Sequence, residues 1–257
     1  MLLAIDVGNT HTVCGLWNGA AWSAIWRCVT TVDTTEDQLA GWLRSMFDLS
    51  ELEWKVDGAI CASVVPQVDR FWSKLTEKWL GTPLRFLRLG SDVGMVVEYD
   101  PPRAVGADRI ANALGALERF EPPIIVVDFG TATTFDAIDH RGAYLGGAIL
   151  PGIQLSSRAL FDRAAKLPEV DFVAPATALG RNTVHSLQSG IMLGYAGAID
   201  ALARKIDEEL GGNSKILATG GLGGLFIGLC QSIASYEPTL TLEGLVVANE
   251  RLIGCGR

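Results

Sequence analysis

The sequence predicts an α/β fold built from two related halves. An apolar strand followed by Asp-x-Gly occurs twice, in Leu2–Thr10 and in Ile124–Ala132, and Asp128 follows Asp6 at an offset of 122 residues (128 − 6). Each copy leads into a second strand, a short turn and a third strand, which is the pattern of a β-meander. Strand and helix patterns then alternate, which indicates a sheet with helical crossovers.

The first half continues from its meander into a helix and a β-α-β unit. Thr34–Gln38 contains threonines that can cap a helix and acidic residues that suit its first turn. Gly58–Val65 predicts a buried strand, Pro66–Trp79 an amphipathic helix, and Leu84–Leu89 a further strand. A loop over Ser91–Val105 follows.

The second half begins after a proline-rich junction. A helix is expected from about Gly106 to Leu117, and Glu121-Pro122-Pro123 is the predicted domain boundary, which gives domains of residues 1–120 and 121–257. The elements expected after the second meander are helices near Gln154–Lys166 and Thr183–Leu210 and a strand at Lys215–Ala218.

Composition excludes several classes of protein. The 257 residues carry a net charge of −8 with an isoelectric point near 4.9, so no broad basic face is available for nucleic acid. Neither a leader sequence nor a membrane span is expected, and a cytoplasmic location is predicted. A disulfide framework or zinc site is not indicated, because the five cysteines lack any CxxC pair. They are Cys14, Cys28, Cys61, Cys230 and Cys255.

The repeated Asp-x-Gly turn can carry phosphate chemistry. Gly8, Asn9 and Thr10 offer main-chain and side-chain donors for phosphate oxygens, and Asp6 could hold Mg²⁺ directly or through water. The alternative is an ordinary hairpin, since Asp-x-Gly is common in turns. Two copies at the heads of two related halves favour a nucleotide site.

The sequence lacks the motifs of histidine metal sites and of two common classes of ATP-using protein. His11, His140 and His185 show no metal-ligand spacing, so they are expected to be structural or surface residues. The Gly-x-x-x-x-Gly-Lys-Ser/Thr loop and the protein-kinase motifs are absent from the sequence. Those two classes of ATP-using protein are therefore excluded as simple interpretations.

The paired turns resemble the superfold shared by acetate and sugar kinases, heat-shock ATPases and actin. This resemblance implies two ribonuclease-H-like (actin-like ATPase) domains, each a mixed five-stranded sheet flanked by helices, with the nucleotide in the cleft between them. It also implies a second phosphate loop at Asp128–Thr134 and an adenosine-side turn at Thr219-Gly220-Gly221. The implied first phosphate loop, assigned to ATP binding, comprises Asp6, Val7, Gly8, Asn9, Thr10, His11, Thr12 and Val13.

A finer resemblance is to type III pantothenate kinases. The matching motifs are Asp6-Val7-Gly8-Asn9-Thr10, Val105-Gly106-Ala107-Asp108-Arg109, Asp128-Phe129-Gly130-Thr131-Ala132-Thr133-Thr134 and Gly146-Gly147-Ala148-Ile149-Leu150-Pro151-Gly152. The resemblance implies ATP-dependent phosphorylation of pantothenate, the first step of coenzyme A biosynthesis, by a homodimer whose interface completes the pantothenate site. It further implies that Asp108 is the general base, that Thr131 contacts ATP, and that Asp128 binds a monovalent cation (K⁺ or NH₄⁺). The implied pantothenate-binding residues are Tyr99, Gly106, Ala107, Asp108, Arg109 and Thr183.

Chemistry is consistent with two of these roles. The guanidinium of Arg109 suits the carboxylate of pantothenate. Asp108 can take the proton of the attacking hydroxyl, and a carboxylate of ordinary pKa near 4 suffices because proton loss is late in phosphoryl transfer. From the residues alone, a helix-start carboxylate and a surface arginine are the favoured interpretation of Asp108-Arg109, and the surrounding resemblance reverses that preference. Tyr99 could cover the core and Thr183 could be an N-cap.

Two rival functions follow from the same sequence. The superfold supports other reactions, so another small-molecule kinase or a polyphosphate-cleaving hydrolase is one alternative. A non-enzymatic regulatory relative is the other, although Asp6, Asp108, Arg109 and Asp128 are all present. Screening of substrates would separate these hypotheses.

Overall fold

A computed structural model describes residues 1–254 and divides the chain into two compact units. The first unit comprises Met1–Glu118 together with the C-terminal segment that begins at Leu240. The second unit comprises Arg119–Thr239. Each unit is organised around one five-stranded sheet.

The sheet of the first unit has the strand order β3-β2-β1-β4-β5. Its strands are β1 (Leu2–Val7), β2 (His11–Trp17), β3 (Trp22–Val29), β4 (Gly58–Ser63) and β5 (Leu84–Phe86). Strand β1 pairs antiparallel with β2 and parallel with β4, so the sheet is mixed. The predicted meander and the β-α-β unit are both confirmed, although β5 ends three residues before the predicted Leu89.

Four helices belong to this part of the chain. They are α1 (Glu36–Leu49), α2 (Pro66–Leu80), α3 (Ala107–Arg119) and α6 (Leu240–Gly254). Thr35 caps α1 as predicted: its hydroxyl accepts the Gln38 N–H at 3.2 Å, and the Gln38 side chain accepts the Thr35 N–H at 3.0 Å. Pro66 begins α2, and Gly81 ends it in the left-handed conformation.

The two faces of this sheet are covered by different helices. On one face, side chains of β1, β2 and β4 form a buried cluster with α1 and α2 that includes Leu43, Phe47 and Trp72. Helix α6 contacts β1 and β4, and it approaches α3 closely. A Cβ added at Gly244 would stand 2.5 Å from the carbonyl carbon of Ala111 in α3.

The position of α6 differs from the sequence-based division of the chain. Residues 121–257 were predicted to form one domain, whereas α6 lies in the first unit. The physical reason is the glycine contact between α6 and α3, together with the Arg85 side chain, which donates to Asn249 at 3.3 Å. Neither contact can be recognised from sequence spacing, because each joins segments that are far apart in the chain.

The second unit repeats the arrangement of the first. Its sheet order is β10-β9-β6-β7-β8, and β6 pairs antiparallel with β7 and parallel with β9, as β1 does with β2 and β4. Its strands are β6 (Ile124–Phe129), β7 (Ala132–Ile138), β8 (Tyr144–Pro151), β9 (Lys215–Thr219) and β10 (Ser235–Tyr236). Its helices are α4 (Ile153–Arg163) and α5 (Thr183–Glu209). The predicted fold class, with two duplicated mixed sheets flanked by helices, is therefore confirmed.

Apolar packing of α5 on the second sheet forms the second core. Met192, Ala196 and Ile199 on α5 are buried with the side chains of Phe129 and Phe135. No helix within residues 1–254 is both long enough and apolar enough to cross a membrane. Four of the cysteines are free thiols, and Cys255 lies outside the described residues.

Candidate active site

The first Asp-x-Gly turn is tight and presents polar groups. The Gly8 N–H donates to the His11 carbonyl at 3.1 Å, and a Cβ at Gly8 would stand 3.0 Å from that oxygen. Asn9 and Thr10 are exposed, and Asp6 is half-buried near the end of β1. The turn therefore places a carboxylate, an amide and a hydroxyl at the carboxyl end of a central strand, where α/β folds bind ligands.

Two side chains of the predicted first loop point away from this surface. Val7 is fully buried, and Thr12 is only 2% exposed. The Thr12 and Thr30 hydroxyls lie 2.8 Å apart, which links β2 to the end of β3. Only the main chain of Val7 or Thr12 is available to a phosphate, whereas His11 is exposed.

Asp108 is the second residue of α3, and its carboxylate folds over the start of the helix. Its Oδ1 accepts the Arg109 N–H at 2.8 Å, while the Arg109 N–H also lies 3.1 Å from the Gly106 carbonyl oxygen. Desolvation by burial raises the pKa of the Asp108 carboxyl, although the hydrogen bond and the positive charge of Arg109 act to lower it. A carboxylate held in this way is a better proton acceptor than an ordinary aspartate.

Arg109 is only 9% exposed, so it is not a surface arginine. Ala107 is also buried, so its main chain rather than its methyl group is available to a ligand. Tyr99 is half-buried in the loop between β5 and α3. The Arg251 side chain on α6 donates to the Val93 carbonyl at 3.1 Å, which fixes part of that loop.

Val64 connects the first turn with the start of α3, and no motif in the sequence marks it. Its N–H donates to the Val7 carbonyl at 3.0 Å, immediately before Gly8. Its Cγ1 lies 3.6 Å from the point that a Cβ on Gly106 would occupy. The one feature of the sequence that could have indicated Val64 is its position, because it directly follows the carboxyl end of a central parallel strand, where α/β sheets bind ligands.

In the second unit, the second Asp-x-Gly turn is enclosed by glycines. Gly220 has φ +84°, and a Cβ built on it would overlap the Asp128 carboxylate and stand 2.7 Å from the Phe129 nitrogen. The Gly152 N–H donates to the Thr131 carbonyl at 3.1 Å, and a Cβ there would stand 2.7 Å from the Gly130 carbonyl oxygen. Side chains at Gly152 and Gly220 would therefore displace the turn that carries Asp128.

Helix α5 is anchored to this second turn by a tyrosine that the sequence did not reveal. The Tyr195 hydroxyl lies 2.8 Å from Thr133 Oγ1 and 2.9 Å from the Pro151 carbonyl oxygen. Thr183 is the exposed first residue of α5 and is not its N-cap. The cap is Asn182, whose side chain accepts the His185 N–H at 2.9 Å.

The donor groups limit how a cation could be held. Within residues 1–254, no cluster of three or more His, Cys, Asp or Glu side chains has the geometry of a metal site. Asp6 and Asp128 each present a half-buried carboxylate beside a glycine turn. Such single carboxylates fit oxygen-loving cations that take their remaining ligands from a nucleotide, from water or from main-chain carbonyls.

Comparison with known proteins identifies relatives over nearly the whole chain. The sequence pattern of the type III pantothenate kinase family matches residues 2–205. A type III pantothenate kinase of Myxococcus xanthus is 45% identical over 246 residues, which cover 95% of this chain and 96% of the relative.

Solved structures resemble this fold at low sequence identity. A Campylobacter jejuni protein described as a Baf family transcriptional activator superposes with a TM-score of 0.63 at 20% identity, covering 98% of this chain and 99% of that protein. MreB 5 of Spiroplasma citri superposes with a TM-score of 0.57 at 12% identity, and the match covers 100% of this chain and 98% of that protein. The similarity to MreB 5 supports the actin-like fold. The family pattern and the 45% identity to a relative over nearly the full length show that the chain belongs to the type III pantothenate kinase family.

Proposed function

We propose that this protein transfers the γ-phosphoryl group of ATP to the primary hydroxyl of pantothenate, the first step of coenzyme A biosynthesis, in the cytoplasm. Membership of the type III pantothenate kinase family supports the reaction. The observation that carries the mechanism is the partly desolvated Asp108 carboxylate at the start of α3, next to the buried Arg109. Transfer is direct and in line, without a phosphoenzyme.

Asp108 acts as the general base. The attacking hydroxyl must lose its proton to an acceptor as the bond to phosphorus forms, and a carboxylate with a raised pKa is better matched to that task than an exposed one. The Arg109 N–H holds Oδ1 of this carboxylate at 2.8 Å and so fixes its position. Positioning is the larger part of catalysis in phosphoryl transfer, so this fixed carboxylate also orients the hydroxyl.

The two Asp-x-Gly turns bind ATP. Main-chain N–H groups of tight glycine turns bind phosphate oxygens, and the exposed Asn9 and Thr10 add side-chain donors in the first turn. Thr131, exposed in the second turn, is the corresponding contact there. This use of neutral donors explains how a chain with net charge −8 could hold a triphosphate.

Mg²⁺ and a monovalent cation complete the proposed site. Asp6 would hold Mg²⁺, directly or through water, because Mg²⁺ at phosphate sites uses one or two carboxylates and keeps several waters. Asp128 would hold K⁺ or NH₄⁺, since a single carboxylate beside a glycine turn suits a cation that takes its other ligands from main-chain carbonyls, water or the nucleotide. When bound, these ions offset the negative charge of the phosphates.

Pantothenate is recognised through its carboxylate and hydroxyls. Arg109 offers a planar set of donors for the carboxylate, and Tyr99 and Thr183 offer hydroxyl groups. Gly106 and Ala107 add main-chain contacts at the start of α3. A homodimer that completes this site is part of the proposal.

The test is release of ADP by purified protein with ATP, Mg²⁺ and K⁺, with and without pantothenate. Turnover should depend on pantothenate and fall at least about 100-fold in Asp108→Asn, the scale expected for loss of a general base. Wild-type protein that is inactive with pantothenate across donors and cations would overturn the proposal. Turnover with another alcohol, or with polyphosphate alone, would instead support a different reaction on the same fold.

A further inference from the structure

Gly106 lies directly beneath the Asp108 carboxylate. A Cβ built on Gly106 would stand 2.5 Å from Asp108 Oδ1, whereas the next nearest atoms, Asp108 Cγ and Val64 Cγ1, are both 3.6 Å away. Ordinary contacts between heavy atoms are about 3.5 to 4.0 Å, so only the carboxylate oxygen overlaps the added methyl group. The space that a side chain would need at Gly106 is therefore the space that the carboxylate occupies.

Backbone conformation does not explain this glycine. Glycines that adopt positive φ include Gly81 and Gly220, but Gly106 is not among them. An alanine at Gly106 could thus adopt the observed main-chain conformation without the strain that a left-handed residue suffers. Its carbonyl would still lie within reach of the N–H groups of Arg109 and Ile110, at 3.1 and 3.2 Å, which begin helix α3.

We propose that Gly106 is a positioning residue for the reaction, whose missing side chain fixes where the Asp108 carboxylate lies. This inference rests on the proposed role of Asp108 as the general base. Val64 forms one wall of the same small space, and the Arg109 N–H holds Oδ1 from the helix side. A methyl group at Gly106 would push Oδ1 out of this position and away from the Arg109 N–H.

The expected kinetic result differs from that of lost ligand binding. Moving a reacting group by about 1 Å can reduce a rate about 100-fold, so Gly106→Ala should lower kcat by about 10- to 100-fold. The KM values for pantothenate and ATP should change less than kcat. If Gly106 served only as a main-chain contact to pantothenate, the variant would instead raise KM and keep kcat.

The pH profile gives a second, independent readout. The Arg109 N–H is one of the groups that lower the pKa of Asp108, against the larger effect of burial. Loss of that hydrogen bond should raise the pKa of Asp108 further. The acidic limb of the kcat/KM profile should therefore move to higher pH in Gly106→Ala than in wild type.

The experiment compares wild type, Gly106→Ala, Asp108→Asn and the double variant, with Gly41→Ala as the control. Gly41 lies in α1, and a Cβ there would meet nothing within 4 Å, so this variant should keep wild-type kinetics. If Gly106 acts through Asp108, adding Gly106→Ala to Asp108→Asn should cause little further loss of kcat. Circular dichroism and the unfolding midpoint establish that each variant is folded.

Each outcome separates the inference from the proposed function. Pantothenate-dependent turnover in wild type and its loss in Asp108→Asn test the function alone. A lower kcat and a shifted acidic limb in folded Gly106→Ala support the positioning role, even if activity of the Asp108 variants is too low to measure. Unchanged kcat with raised KM, or equal losses of kcat in both backgrounds, would overturn that role while leaving the function intact.

Discussion

Among the first-unit glycines that the structure describes, Gly244 leaves the least space for an added Cβ. Helix α6 contacts α3 at this position, and an added Cβ would stand 2.5 Å from the carbonyl carbon and 3.0 Å from the Cα of Ala111. Both atoms belong to the main chain of a helix and cannot rotate away. The two helices would have to separate, or α6 would have to tilt.

The cost can be worked out from these distances. A carbon–carbon contact relaxes to about 3.5 to 4.0 Å, and the Ala111 carbonyl oxygen lies nearer still to the added Cβ, so the helices must move apart by about 1 to 1.5 Å at this point. Overpacking of this kind costs about 1 to 3 kcal/mol, and the rigid main-chain neighbour places Gly244→Ala near the upper end. Alanine recovers up to about 1 kcal/mol of helix propensity, which leaves a loss of about 2 kcal/mol.

Thermal unfolding followed by circular dichroism checks this value. For a chain of this size each kcal/mol lowers the midpoint by about 2 to 4 °C, so Gly244→Ala should unfold about 4 to 8 °C below wild type. Gly41→Ala makes the same change in α1, where nothing lies within 4 Å, and should unfold at or above the wild-type temperature. A Gly244→Ala midpoint equal to that of the control would refute the close contact between α6 and α3.

Two further predictions concern buried polar groups. Tyr144→Phe should lower the free energy of unfolding by about 1 to 3 kcal/mol, because the Tyr144 hydroxyl donates at 2.9 Å to the Asp136 carboxylate and both residues are fully buried. Urea denaturation measures the loss, and Tyr236→Phe, whose half-buried hydroxyl donates to the Gly220 carbonyl, should lose less. Burial raises the pKa of Asp108 in the folded protein. Above that raised pKa the charged carboxylate lowers the free energy of unfolding. This destabilisation disappears as the pH falls below the pKa of Asp108 in the unfolded chain. Asp108→Asn should therefore be more stable than wild type at pH 7 but not at acid pH; denaturation curves that keep the same difference at both pH values would contradict this.

Local patterns were sufficient to predict most elements of the fold. The duplicated Asp-x-Gly turns, the capping box at Thr35 and Pro66 at the start of α2 each act within a few residues, so their physical effect can be read directly from the sequence. The end of β5 was predicted too late. Strand ends depend on which neighbour continues the hydrogen bonding, and β5 pairs with β4 only as far as Phe86.

The candidate site could be predicted in part. Sequence motifs indicate Asp6, Asp108 and Asp128 as site residues, and the structure adds what surrounds them. The roles of Val64 and Tyr195 were missed, because their importance comes from contacts with residues distant in sequence. Thr12 is predicted as part of the first phosphate loop, but the pairing of its buried hydroxyl with Thr30 cannot be read from the sequence.

The sequence by itself determined the duplication, the class of fold, the family and the residue types at the two turns. Only the tertiary structure decided that α6 completes the first unit, that Asn182 rather than Thr183 caps α5, and that the Asp108 carboxylate fills the space above Gly106. The physical reason is the distance along the chain over which each effect acts. Propensity, capping and turn formation depend on neighbouring residues, whereas burial, desolvation and close contact depend on which distant segments the folded chain brings together.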